Sequence, residues 1–128
     1  MILGIGNDII EILRIKTVIE RYKERFLHRT FTLNEQAYCL SRKDPSIHFA
    51  GRFAAKEAIV KALGIGFTQG ISCLDIEIFR DEQGKPIVAL SSQLNEYFNF
   101  PTIQISISHC RSYATAVAIW TKTSSAKN

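Results

Sequence analysis

After Arg52, three charged side chains interrupt an otherwise apolar stretch of the chain, which reads RFAAKEAIVKALGIGF from Arg52 to Phe67. If this stretch is drawn as a helix, with about 100° per residue, alanine and aliphatic side chains cover nearly the whole circumference. Glu57 and Lys61 fall side by side in a narrow sector, and Lys56 lies on another flank. A helix that is apolar on nearly all sides is normally buried, and a buried charge needs a partner.

Two interpretations of Glu57 and Lys61 are open at this point. The two residues are four positions apart, so they can form an ordinary ion pair on a helix surface, worth about 0.2–0.5 kcal/mol. Alternatively, Glu57 binds a cation while Lys61 and Lys56 face a phosphate. The segment after the helix favours the second interpretation, because the glycines at 64, 66 and 70 would let the backbone approach an anion closely.

A second carboxylate, Asp8, directly follows the glycine-containing segment ILGIGN at residues 2–7. An aspartate at the end of a strand is more often a turn or helix-capping residue. Paired with Glu57, however, Asp8 would form the sparse oxygen site that magnesium takes when phosphate is also bound.

Arginines on the first predicted helix form another candidate site. On a helical wheel, Arg14, Arg21 and Arg25 fall within an arc of about 40°. A solvated charged face is the ordinary explanation of such a run. A strip made only of arginine also suits docking onto an acidic protein surface. The net charge of +4 agrees with an anionic partner but does not identify it.

The segment SISH, which ends at His109, contains hydroxyl groups and an imidazole at the end of a predicted strand. A histidine at such a place is most often just an exposed polar residue. We find no Ser-His-Asp arrangement that would support nucleophilic catalysis by this chain.

Periodicity and capping signals predict the elements that must position these side chains. Residues 2–6 form a short buried strand, and apolar residues at three- and four-residue steps indicate a helix from 12 to 26. The capping box at 32–35 begins a helix that runs to about 41, and Asp44-Pro45 begins a third helix that ends at Gly64. A period of two follows, with strands at 73–80, 85–90, 102–109 and 112–120 and a helix at 91–98.

These elements predict one α+β domain, residues 1–120, in which helices pack on a mainly antiparallel sheet, followed by a tail at 121–128. The 128 residues are 46% hydrophobic and 22% charged, which suits a soluble domain. We expect no signal peptide and no membrane span. The three cysteines are far apart, which predicts reduced thiols and a cytoplasmic protein. No RNP, KH or helix-turn-helix signature predicts binding to nucleic acid.

Several segments in order resemble one known family. They are GIGNDIIEI at 4–12, FAAKEAIVKALGIGF at 53–67, DIEI at 75–78, GKPIVAL at 84–90 and SISHCRSYATAVAI at 106–119. Together they closely resemble the holo-acyl-carrier-protein synthases, the small bacterial group of phosphopantetheinyl transferases. The similarity extends from Ile2 to about Trp120.

The resemblance implies the phosphopantetheinyl transferase fold and a magnesium-dependent reaction in support of fatty acid biosynthesis. The 4′-phosphopantetheine arm of coenzyme A is transferred to a serine of apo acyl carrier protein, and adenosine 3′,5′-bisphosphate is released. Coenzyme A is then the co-substrate. The resemblance also implies a homotrimer with active sites at the subunit interfaces.

The resemblance further implies roles for individual residues. Asp8 and Glu57 match metal ligands, and Lys61 matches the lysine near the phosphates, so Glu57 and Lys61 are the candidate catalytic residues. Contacts to coenzyme A are implied for Arg52, Lys61, Gly64, Gly66 and His109. Contacts to the acidic carrier protein are implied for Arg14, Arg21 and Arg25.

The general base of the reaction has two candidates. The serine proton is accepted either by Glu57 or by a water molecule at the metal, and Lys56 has no role beyond countercharge. Cys73, Ile65 and Cys110 depart from residues that are common in the family. A magnesium-dependent nucleotide hydrolase and a small basic nucleic-acid-binding module are the alternative functions.

Overall fold

A computed structural model of the chain describes residues 1–67 and 70–122 and arranges them as strands and helices in one small α+β domain, as predicted. A 3-10 turn at Cys73–Asp75 precedes the second strand. The elements are β1 (Ile2–Glu11), α1 (Ile12–Tyr22), α2 (Glu24–Thr30), α3 (Leu33–Leu40), α4 (Pro45–Leu63), β2 (Ile76–Arg80), β3 (Pro86–Leu90), α5 (Ser92–Tyr97), β4 (Thr102–His109) and β5 (Tyr113–Thr121).

The sheets are antiparallel, and α4 lies across the larger of the two. That sheet has the strand order β1-β5-β4, and β2 and β3 form a separate hairpin. Helix α4 packs against β1, β5 and β4 and contributes fully buried residues such as Ala54, Ala58 and Ile59 to the core. The absence of a polar stripe from its sequence therefore reflects burial on nearly all sides.

Two glycines of β1 let this strand approach α4 unusually closely. A Cβ at Gly4 would overlap the carbonyl oxygen of Ala62, and a Cβ at Gly6 would lie 2.7 Å from the Ala62 nitrogen and overlap the carbonyl oxygen of Ala58. No side chain fits in either place. The contact of glycine with an alanine face brings the β1 backbone, and Asp8 with it, directly onto α4.

The structure confirms both helix-start signals and the end of α4. Thr32 and Glu35 make both hydrogen bonds of the capping box at the start of α3. Pro45 is the first residue of α4, and Gly64 ends the helix in the left-handed conformation with φ 75°. These boundaries were predictable because they depend on residues next to one another in sequence.

Two predicted boundaries are wrong. Strand β1 does not stop at residue 6 but continues to Glu11, because the alternation of outward and inward side chains persists through the polar residues at 7 and 8. The predicted helix from 12 to 26 is two helices, since Lys23 has φ 50° and separates α1 from α2. The apolar repeat continues across this break, so periodicity alone does not detect it.

The remaining differences are small. Residues 73–75, predicted as strand, form the 3-10 turn that is capped by Ser72. Thr121, placed in the tail by the sequence, is the last residue of β5. The rest of the predicted tail beyond Lys122, and residues 68 and 69 of the glycine-containing segment, lie outside the described residues.

Candidate active site

Three of the predicted site residues meet where β1 crosses α4. The Lys61 Nζ donates hydrogen bonds to Asp8 Oδ1 at 3.1 Å and to the Asn7 carbonyl oxygen at 3.0 Å. Asp8 and Glu57 are close enough that their charges interact. In the described part of the chain, Lys61 therefore pairs with Asp8 across two elements, and not with Glu57 in the common helical i,i+4 arrangement.

The electrostatics of Glu57 show that the site gathers negative charge. Burial raises the pKa of Glu57 above its ordinary value, and the neighbouring Asp8 carboxylate raises it further, while the Lys61 ammonium opposes both effects. Two carboxylates that repel each other in a half-buried position are stabilised by a cation. Lys61 supplies part of this positive charge, and its side chain remains 54% exposed.

Asp8 lines two adjoining cavities. One, of about 380 Å³, also contains Glu57 and Arg14 in its lining, together with the apolar Phe53. The other, of about 420 Å³, is lined by Lys61 and by the hydroxyl residues Ser106 and Ser108 of β4, among others. The carboxylate pair thus lies between an arginine of α1 on one side and the outer surface of the sheet on the other.

The donor set fits a magnesium ion that also binds phosphate. Across residues 1–67 and 70–122, no group of three or more His, Cys, Asp or Glu side chains is arranged to hold a metal ion. Magnesium usually binds through one or two carboxylates, with water and substrate phosphate oxygens completing its octahedron. Asp8 and Glu57 supply that number of hard oxygen ligands, and the cavities beside them leave space for the remainder.

A basic cluster surrounds Tyr38 on α3. The guanidinium carbons of Arg52, Arg42 and Arg80 lie 4.4, 5.4 and 5.9 Å from the centre of its ring. Arg52 is only 3% exposed, and its Nε has no hydrogen-bond partner within the described residues. A buried guanidinium with an unsatisfied donor, beside two more arginines, is suited to binding an anion.

His109 lies near this cluster, at the end of β4. The pKa of His48, which packs edge-on against Tyr38, is lowered by burial and then by the charges of Arg52, Arg42, Arg80 and His109. The predicted pair Arg52 and His109 is therefore brought into one electropositive region.

Gly64 and Gly66 follow α4 at the end nearest Lys61.

The three arginines that were predicted to lie on one helix lie on two. Arg14 and Arg21 lie on α1, one above the other and exposed, whereas Arg25 follows the break at Lys23 and lies on α2. The 40° arc assumed a continuous helix and is wrong for Arg25. Arg25 nevertheless stays beside α1, because it lines a cavity of about 240 Å³ together with Tyr22 and Val18.

Lys56 does not face a phosphate, as one interpretation of the sequence supposed. Its side chain is fully buried, and its Nζ donates to the carbonyl oxygens of Thr30 and Cys73 and to Glu35 Oε1. In the sequence, the capping box was the one sign of a role for Glu35, so nothing predicted its ion pair with Lys56.

Sequence reasoning also missed Tyr38, His48 and Arg80 as members of the basic cluster. They come from α3, α4 and β2, and only tertiary packing joins them. The one available signal was the positive charge of Arg42 and Arg52 near the third predicted helix.

Comparison with known proteins gives a consistent result over almost the whole chain. The 4′-phosphopantetheinyl transferase superfamily model matches residues 4–118. A holo-[acyl-carrier-protein] synthase of Protochlamydia amoebophila is 63% identical over 120 residues, covering 94% of this chain and 98% of the relative. One of Chlamydia muridarum is 49% identical over 124 residues, covering 97% and 98%.

Solved structures agree. The Helicobacter pylori holo-[acyl-carrier-protein] synthase, in complex with coenzyme A, superposes with a TM-score of 0.83 at 39% identity, covering 91% of this chain and 99% of that chain. The family model and the relatives span the carboxylate pair on β1 and α4 as well as the basic cluster. The chain therefore belongs to the 4′-phosphopantetheinyl transferase superfamily and, within it, to the holo-[acyl-carrier-protein] synthases.

Proposed function

We propose that this protein transfers the 4′-phosphopantetheine arm of coenzyme A to a serine of apo acyl carrier protein, with magnesium held by Asp8 and Glu57. The reaction releases adenosine 3′,5′-bisphosphate and serves fatty acid biosynthesis. The observation that carries the proposal is the meeting of Asp8, Glu57 and Lys61 at the crossing of β1 and α4. That arrangement suits a pyrophosphate substrate, and the coenzyme A complex of the Helicobacter pylori relative supports the choice of substrate.

The chain's own residues position and neutralise charge, which is most of what phosphoryl transfer requires. The serine oxygen of the carrier protein forms a bond to the phosphorus that bears the pantetheine, and the serine proton passes to Glu57 or to water. The bond from that phosphorus to the bridging oxygen breaks, and this oxygen leaves as part of adenosine 3′,5′-bisphosphate. Bound between Asp8 and Glu57, magnesium would neutralise pyrophosphate oxygens. The Lys61 ammonium has three donors, of which Asp8 and the Asn7 carbonyl take two, and the third can donate to the departing phosphate.

The basic cluster is the proposed site for the nucleotide part of coenzyme A. Arg52 supplies positive charge there, Arg42 and Arg80 add to it, and His109 adds an imidazole that can hydrogen-bond to a phosphate. Gly64 and Gly66, at the end of α4 nearest Lys61, let the backbone approach the pyrophosphate without a Cβ in the way.

The most direct test of the function is to incubate the protein with coenzyme A, magnesium and apo acyl carrier protein and then weigh the carrier protein. We expect a gain equal to one phosphopantetheine. Cleavage of coenzyme A without an adduct would instead indicate a nucleotide hydrolase. The absence of any reaction, together with tight binding of nucleic acid, would indicate a binding module.

Arginines of α1 are proposed to contact the acidic carrier protein. Arg14 shares the cavity of Glu57, so a carrier protein held at Arg14 and Arg21 would place its serine beside the carboxylate pair. Arg25, on α2, extends this basic surface beyond the break. Because the contact is electrostatic and exposed, transfer should slow as the salt concentration rises.

Reversing two of these charges, as Arg14→Glu together with Arg21→Glu, should raise KM for the carrier protein roughly tenfold or more at low salt. KM for coenzyme A should stay near its wild-type value. Steady-state kinetics with each substrate varied in turn measures both. Lys16→Glu is the matched control, since Lys16 is an exposed base on the far side of α1 from Arg14. Equal losses for both substrates would mean that the double variant is misfolded.

A homotrimer with active sites between subunits is also part of the proposal. The face of the larger sheet opposite α4 carries apolar side chains, of which Ile5 is 65% and Ile9 62% exposed. Across from them in β5 lie Ile119 and Thr115. An uncovered apolar sheet face supports association with another chain. The cavity of Lys61 opens toward this face, so a neighbouring subunit there would complete the site.

Ile5→Glu should convert the trimer to a monomer, because it places a charge in the middle of the apolar face. Light scattering coupled to size exclusion gives the mass, and the mass assay gives the activity, which should fall with assembly. Leu33→Glu is the control, since Leu33 is 74% exposed on α3 and lies away from the sheet. A fully active monomer would contradict shared sites.

A cytoplasmic location is supported by the cysteines, because Cys39, Cys73 and Cys110 are all unpaired. Among the helices of the described residues, none is long and apolar enough to cross a membrane.

A further inference from the structure

The fully buried Lys56 is the ionisable group that the reaction does not explain. Its side chain is 0% exposed, and its three donors are all used: by the Thr30 carbonyl oxygen at 2.8 Å, Glu35 Oε1 at 2.7 Å and the Cys73 carbonyl oxygen at 2.9 Å. These acceptors come from the end of α2, from α3 and from the 3-10 turn before β2. One side chain of α4 is thus hydrogen-bonded to three other elements.

Glu35 extends the network from its own side. Its Oε1 also accepts from the Thr32 nitrogen at 2.9 Å, and its Oε2 accepts from the Ile78 nitrogen of β2 at 2.7 Å. Glu35 is 1% exposed. The Lys56–Glu35 pair therefore connects α4, α3 and β2 through directional bonds.

Directional bonds add to the close contact with the glycines of β1 in fixing the rotation of α4 about its own axis. Most helices are oriented by one polar and one apolar face. Helix α4 is buried on nearly all sides, and alanines at 54, 55, 58 and 62 present similar small surfaces to different neighbours. Lys56 has one place where all three of its protons find acceptors, and the next residue in the helix is Glu57.

We propose that Lys56, held by Glu35, is a positioning residue for phosphopantetheine transfer: it sets the rotation of α4 and so aims Glu57 and Lys61 at Asp8. The inference rests on the proposed function of that carboxylate site. A rotation of one residue step, about 100°, would carry Glu57 away from β1 altogether. Even a displacement of about 1 Å at a catalytic group can cost about 100-fold in rate.

Stability alone is a poor explanation of this buried pair. Burial lowers the pKa of Lys56, and Glu35 is the first of the groups that oppose this shift, so the pair carries a desolvation cost. Apolar replacements of similar volume often stabilise a protein as well as a buried ion pair does, or better. Apolar side chains do not supply hydrogen bonds, which form in only one orientation of the helix.

The test is the double variant Lys56→Met with Glu35→Gln, which removes both charges together. The methionine fills the volume of the lysine stem, and the new amide still has an oxygen to accept from the Ile78 nitrogen. We expect a folded protein with Tm near wild type whose kcat is about 100-fold lower. KM for the carrier protein should change less than about threefold, because the α1 arginines are not on α4.

A matched control and an activity-independent readout separate orientation from stability. Leu94→Ala removes a side chain of α5 that is 1% exposed and should lower Tm without changing kcat at a temperature where the protein is folded. NMR contacts between the α-protons of Gly6 and the β-protons of Lys61, two groups that face each other across the crossing, report how closely α4 packs on β1. They should weaken or move in the double variant and persist in Leu94→Ala.

Wild-type kcat together with unchanged α4–β1 contacts in the double variant would overturn the inference. So would a loss of kcat no larger than that of Leu94→Ala at matched Tm. The single variant Lys56→Met, which leaves Glu35 buried without its cation, should show a much lower Tm than the double variant. If the wild-type protein transfers nothing to apo carrier protein, the proposed function fails, while the NMR contacts still test the seating of α4.

Discussion

Replacing Glu57 with glutamine should lower kcat for phosphopantetheine transfer about 1,000-fold at ordinary magnesium concentrations. The neutral amide keeps the shape of the side chain but removes one of the two proposed anionic ligands, and a metal held there would supply several kcal/mol of stabilisation where charge develops. The measurement is the rate of mass gain by the carrier protein at saturating coenzyme A.

The loss should not arise from unfolding. Burial and the Asp8 carboxylate raise the pKa of Glu57, so the ionised form is disfavoured in the folded protein, and a neutral side chain relieves that repulsion. At pH values above the raised pKa, Tm should therefore equal or exceed that of the wild type. Glu20→Gln, at an exposed position of α1, is the control and should retain full activity. Turnover at the wild-type rate would exclude Glu57 as a ligand.

Replacing Gly6 with alanine should lower both stability and activity. The new Cβ would overlap the Ala58 carbonyl oxygen and lie 2.7 Å from the Ala62 nitrogen and 2.9 Å from the Lys61 Cβ. Two of these atoms belong to the backbone of α4, so the helix must move away from β1. Overpacking of this kind costs typically about 1–3 kcal/mol, and the accompanying shift of Lys61 and Glu57 from Asp8 should reduce kcat about 100-fold.

Gly51→Ala is the matched control for this substitution. Gly51 lies within α4, and a Cβ there would meet only a methyl group, the Ile107 Cγ2 at 3.0 Å. Alanine also favours the helix over glycine by about 1 kcal/mol. Thermal unfolding and transfer kinetics of the two variants should therefore differ clearly. Equal behaviour would mean that the close contact of β1 with α4 does not hold the site together.

Features encoded by neighbouring residues were the ones that the sequence predicted well. The capping box at Thr32 and Glu35 and the left-handed Gly64 depend on contacts within one turn of chain, and both are present. The break at Lys23 was missed because no glycine or proline marks it. Strand β1 was predicted too short because Asn7 and Asp8 are polar, yet Lys61 on α4 donates hydrogen bonds to the Asp8 carboxylate and to the Asn7 backbone carbonyl oxygen.

The candidate site shows the same contrast between what the sequence predicted and what only tertiary packing reveals. Glu57 and Lys61 were singled out by their position in an apolar helix and Asp8 by its place after a strand, and the resemblance to the synthases then implied their roles. The sequence did not predict the partner of Lys56, because Glu35 lies 21 residues away and was already explained as part of a helix cap. The arginines around Tyr38 come from different elements, so only packing could assemble them.

Metal affinity tests the carboxylate site most directly. Manganese, a paramagnetic substitute for magnesium, can be titrated into the protein with coenzyme A bound and followed by electron paramagnetic resonance. We expect one ion per active site in the wild type, and at least about tenfold weaker binding in Asp8→Asn and in Glu57→Gln, since each variant loses one anionic ligand. Equal affinity in all three proteins would contradict a metal site formed by Asp8 and Glu57.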